Sequence, residues 1–189
     1  AKLAAYGYSA AVIAVGQTLL DAATSKQTAQ EDEYAQQLTA TDSLEATWQQ
    51  AQSTYSPLVQ LARLALKGDR GSLDAMQLGG ERKRTVSGWA SQARAFYTHA
   101  LHKPDIMARL ARFNITEAQL TAGLAEVSEL EDAQARQSDE RGEAQSATQA
   151  RDAALDALDE WMGEFVEVAR VALRSDPQLL EALGVRVLS

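Results

Sequence analysis

Along the first third of the chain one side chain in every seven keeps a single register. Ile13, Leu20, Gln27, Tyr34, Thr41, Trp48, Tyr55 and Ala62 follow one another at that spacing, which places them on one face of a helix. The apolar stripe is strong at both ends and weak in the middle. Leu20 gives way to Gln27 and Gln30 before Leu44, Trp48, Tyr55 and Leu58. The same rise and fall recurs late in the chain. Leu120, Val127 and Leu130 lead to Gln134 and Gln137, followed by Leu155, Leu158, Trp161, Met162 and Phe165.

These two stretches align without a gap when Tyr6 is laid on Phe113. Gly16 then falls on Gly123, Val59 on Val166 and Asp69 on Asp176, and 17 of 71 aligned positions are identical. The chain therefore reads as one helical unit made twice. Residues 1–79 form the first repeat, 80–112 a basic helical connector and 113–189 the second repeat. A position shared by both copies reads as structural, and function is sought where the copies differ.

Each copy carries the same punctuation. Ser9 and Thr116 stand where a hydroxyl caps the first turn of a helix. The runs end at Arg63 to Lys67 and at Arg170 to Arg174, where cations suit the negative end of the helix dipole. Gly68-Asp69 and Ser175-Asp176-Pro177 then break the helix, and a short apolar helix follows, closed by glycine at Gly79 or Gly184. The thinning of the stripe predicts an antiparallel hairpin in each copy, turning around Thr39 to Ser43 and Ser146 to Ala150. Thr41 or Asp42 would cap the returning arm with Glu45 completing the box. Such a turn brings Ala23 beside Val59. Two hairpins make an all-α four-helix bundle; the alternative is a pair of long continuous helices forming a coiled-coil-like rod, since the heptad register passes straight through the turn.

Charge separates the modules. The formal net charge is −8 over 189 residues, which disfavours general adhesion to nucleic acid or anionic lipid. The connector opposes this trend. It holds seven Lys and Arg against Glu81 and Asp105, a formal +5, leaving −13 for the rest. Within it Thr85 to Leu101 reads as a helix with Trp89, Ala93, Phe96 and Ala100 on one stripe, ended by Pro104. The apolar stretch Leu3 to Leu20 approaches the length of a membrane span. Its copy contains Glu117, Gln119 and Glu126, so it reads as a helix with one wet face. No transmembrane segment is expected, and a soluble, cytoplasmic setting is favoured. With the first residue Ala1, a removed leader is left open.

Catalytic chemistry finds few residues here. Cysteine is absent and there are two histidines, so a thiolate site is excluded and a carboxylate di-metal bundle lacks its Glu-x-x-His pairs. His99, His102 and Asp105 share a spacing of three, but Pro104 interrupts the helix and the histidines read as helix-end residues. No Gly-x-Ser-x-Gly elbow or glycine-rich phosphate loop occurs. Asp32-Glu33 and Asp139-Glu140 recur in both copies and read as a wet helix face.

Two groups remain open. Gln27/Gln134, Gln30/Gln137 and Thr41/Thr148 are either buried polar layers that set register or partly solvated residues. Arg82, Lys83 and Arg84 with Trp89, Phe96 and Tyr97 are the candidate interaction residues, because cations interleaved with aromatics bind anionic chains. Against this, Trp89 and Phe96 are expected to face the bundle while the connector's cations lie against the acidic helices. The sequence points to a non-catalytic scaffold or protein-interaction protein, needing no cofactor and binding a protein partner or itself. The alternative is a module whose connector, residues 82–103, engages nucleic acid or a membrane surface.

Overall fold

The computed structural model describes residues 2–185; Ala1 and the last four residues of the second repeat lie outside it. Every regular element among the described residues is helical. After a 3₁₀ turn at Leu3–Tyr6 come α1 (Ala10–Ala65), α2 (Arg70–Ala75), α3 (Val86–His102), α4 (Pro104–Ala111), α5 (Glu117–Ala172) and α6 (Pro177–Ala182). In the alignment of the two copies, both ends of α1 coincide with those of α5, and both ends of α2 with those of α6. Their ends use matching chemistry. Ser9 Oγ accepts from Val12 N at 3.4 Å, and Thr116 Oγ1 from Gln119 N at 3.2 Å. Gln119 Oε1 in turn accepts from Thr116 N at 2.9 Å, completing a capping box. Left-handed residues also correspond: Gly7 (φ 91°) with Asn114 (58°), and Gln77 (53°) with Gly184 (75°). In the first copy the left-handed C-terminal position is thus Gln77 rather than the expected Gly79.

The hairpins are not formed. Residues 10–65 and 117–172 are each one unbroken helix of 56 residues, the two-long-helix alternative. Ala23 and Val59 lie on the same helix. The hydroxyls expected to cap a returning arm bond back along their own helix instead. Thr41 Oγ1 donates to Gln37 O at 2.9 Å and Thr47 Oγ1 to Ser43 O at 2.8 Å. In the second copy Ser146 Oγ donates to Gly142 O and Thr148 Oγ1 to Ala144 O, both at 2.9 Å. With helix formers around them and no proline at the proposed turns, nothing removes a backbone bond there. Pro57, by contrast, sits inside α1. Its ring removes one N–H from the ladder without ending the helix.

Compact packing divides the chain differently from the sequence repeats. One unit comprises residues 1–35 with 142–189, the other residues 36–141. Each unit therefore combines the opening of one copy with the close of the other. In the 36–141 unit, α3 packs against both long helices. Tyr55 of α1 meets the rings of Trp89 (5.3 Å), Phe96 (5.5 Å) and Tyr97 (6.0 Å). Arg94 of α3 bonds Ser128 Oγ and forms an ion pair with Glu131 on α5. Thr54 Oγ1 donates to Glu126 at 3.0 Å, joining α1 to α5. Fully buried Leu66, Met76, Leu110, Leu120, Val127 and Leu130 complete this core.

In the other unit the segments of α1 and α5 run antiparallel, with Gly16 against Trp161 and Arg151 donating to Gln30 at 3.3 Å. Tyr8 packs on Trp161 and Phe165, which stack on each other at 5.2 Å. A small core of Ala169, Leu173, Leu180 and Val185 lies beneath Leu3.

Candidate interaction surfaces

The six candidate residues of the connector divide into two groups. Trp89, Phe96 and Tyr97 are at most 1% exposed, because the stripe that carries them is the buried face of α3. Burial, aided by the charge of Glu126, raises the Tyr97 hydroxyl well above the usual phenol range. Arg82, Lys83 and Arg84 are exposed, on the segment before Thr85, whose hydroxyl caps α3 by accepting from Gly88 N. That segment is held in place by Gln92, the buried polar residue of α3. Gln92 Nε2 donates to Gln77 O at 2.9 Å, and its Oε1 accepts from Lys83 N at 3.1 Å. Arg82 lies over the Tyr55 ring, 5.7 Å from its centroid, and donates to Ser56 Oγ. The cations border a groove of about 470 Å³ with Trp48, Gln52 and Glu81.

The half-buried cations of the connector, Arg94 and Arg109, are tied to the fold. Arg109 donates to Ala65 O at 3.0 Å and pairs with Asp69 at 2.6 Å, joining α4 to the end of α1. Asp69 also accepts from the backbone N and hydroxyl of Ser72. Those two bonds, followed by the one from Arg109, hold its carboxyl below the ordinary range. The glutamines of the weak stripe are half-buried, and Gln27 donates to Glu31 at 2.6 Å. They are not sealed polar layers. His102 Nδ1 donates to Thr98 O at 2.8 Å, a helix-end role.

A second surface is one that the sequence did not point to. In the 1–35/142–189 unit Ile13 (38%), Leu20 (47%), Met162 (42%) and Leu183 (45%) are exposed. Their counterparts in the other copy are Leu120, Val127, Tyr55 and Met76, buried to 0–4% in a single cluster of the 36–141 unit. The difference is α3. Over Gly123 sits the Tyr97 ring, whereas the matching Gly16 is met by Trp161 from the neighbouring long helix. Nothing among the described residues takes the place of Trp89 and Phe96 on this face. Beside it Leu3, Leu173, Leu179, Ala182 and Leu183, with Lys2 at its edge, border a mainly apolar hollow of about 470 Å³.

The signal for this surface lies in the differences between the copies. Asp156, Asp159, Glu160, Glu164 and Glu167 stand where the first copy has Gln49, Gln52, Ser53, Pro57 and Gln60. All five carboxylates are exposed on α5, and Asp159 falls where Gln52 borders the groove beside Trp89 in the other unit. The unit holds 13 Asp and Glu against six Lys and Arg, a formal −7. No helix among the described residues is long and apolar enough to cross a membrane. No family model, curated protein or solved structure matches the chain.

Proposed function

We propose that this chain is a non-catalytic α-helical interaction protein whose binding surface is the apolar face around Ile13, Leu20 and Met162. One observation carries the reading: residues exposed on this face have buried counterparts in the other unit, where a helix covers them. Large apolar side chains grouped on a surface and rimmed by charge mark a contact site for another polypeptide. The two units divide the work. In one, α3 completes a core; in the other, the same face is offered to a protein partner or a second copy. Engagement of nucleic acid by the connector has weaker support. The aromatics needed to stack on bases are committed to the core, and Arg82, Lys83, Arg84 and Lys103 are left on the surface without them.

The test is sedimentation of the full chain over a wide concentration range, together with titration by amphipathic helical peptides of either charge. Binding in either assay that is weakened by Leu20→Asn or Met162→Gln supports the proposal. A protein that stays monomeric and binds no such helix overturns it.

A further inference from the structure

We infer that the occupant of this face is a cationic amphipathic helix of a partner protein, carrying aromatic side chains at a spacing of seven. The inference rests on the interaction reading above and adds the partner's chemistry. The chain contains its own example of the fit. On the equivalent face α3 seats Trp89 and Phe96, seven residues apart, against Tyr55, and places Tyr97 over Gly123. Its Arg94 reaches across to Ser128 and Glu131 of α5. At the positions matching Ser128 and Tyr55, the uncovered face presents Asp21 and Met162. Asp21 is exposed and placed to receive a cation as Ser128 does, while Met162 offers a side chain that adapts to an incoming ring.

Charge then selects among occupants. A second copy meeting this face with its own would set a formal −7 against −7, and like charges brought together oppose association. A basic helix instead meets with opposite charge Asp21 and Asp159, the latter matching Gln52, which borders the groove beside Trp89 in the other unit. The flat aromatic ring of Trp161, half-buried and packed over Gly16, fills the seat of Tyr97 from within. The remaining room is therefore that of the positions matched by Trp89 and Phe96.

The probe is a labelled synthetic peptide of residues 82–103, which has five Lys and Arg and no carboxylate side chain, titrated into the full chain. Binding is expected, with the affinity falling as salt rises. Leu20→Asn and Met162→Gln, both at exposed positions, should each weaken it about tenfold, the equivalent of losing one well-seated apolar contact. Asp21→Asn with Asp159→Asn should weaken it and flatten the salt dependence. A peptide with Trp89 and Phe96 replaced by serine should not bind. Val59→Asn on the buried face of the other unit distinguishes displacement of the resident α3: peptide binding that depends on that variant alone overturns the inference. Preference for a charge-reversed peptide, or self-association lost on Met162→Gln with no peptide binding, also overturns it while leaving the interaction reading intact. Neither peptide binding nor self-association defeats both.

Discussion

The Tyr97 ring lies so close over Gly123 that a β-carbon built at 123 would collide with its Cζ and hydroxyl. Gly16, the counterpart of Gly123, would drive its β-carbon into Trp161 Cη2. The two contacts are equally close and differ in freedom. Tyr97 is 1% exposed and walled in by Tyr55 and Phe96, whereas Trp161 is half-buried and meets Gly16 with the far edge of its indole.

Gly123→Ala should therefore destabilise the protein by about 1–2 kcal/mol, the overpacking of a locked ring less the gain in helix propensity. Gly16→Ala should cost less, since the half-buried Trp161, although stacked on Phe165, has an open side toward which it can shift. Denaturant midpoints of the two variants measure the difference. Equal costs would mean that Trp161 is as confined as Tyr97.

Trp89→Ala and Phe96→Ala should each cost about 3–5 kcal/mol, as the loss of a buried aromatic does. Both are at most 1% exposed and meet Tyr55 edge to face. Thermal melts test this. Variants that melt like the parent would place these rings outside a packed core.

Continuity of α1 predicts that Thr41→Pro is severe. Proline at 41 removes the backbone bond to Gln37 O and clashes with the preceding turn, a cost of about 3 kcal/mol or more. In a hairpin turn centred on the same residue it would be tolerated. Circular dichroism and a melting curve distinguish the outcomes, helix loss with a lowered midpoint being expected.

Asp69 supplies a pH signature. Its carboxyl is held below the ordinary aspartate value of 3.8, first by the Ser72 amide and hydroxyl and then by Arg109. A carboxyl with a depressed folded-state pKa adds stability that is complete above its unfolded value. That stability is lost as pH falls through the lower folded-state value. Asp69→Asn keeps a capping side chain and removes the charge. Unfolding free energies of parent and variant should thus differ most above pH 3.8 and converge as the medium becomes more acidic. A gap that stays constant with pH would exclude the carboxylate as its source.

Helical class, helix ends and the matching of the two copies follow from local chemistry. Ser9, Thr116 and Gln119 satisfy amides within one turn, and the boundaries of α1 and α5 coincide in the alignment because the same short-range signals recur in each copy. The inward stripe of α3 is also legible, since Trp89 and Phe96 at a spacing of seven must share a face. The expected hairpin fails for a tertiary reason. A thinning apolar stripe shows where a helix loses its partner surface; it does not show whether the chain turns back there. Thr41 and Thr148 cap a turn or bond back along a helix with the same hydroxyl, and only the packing around them chooses. Which of the two equivalent faces α3 covers is beyond local signals as well. Ile13 and Leu120 are equivalent in sequence, yet one is 38% exposed and the other buried, because a single connector can complete only one of two matching faces.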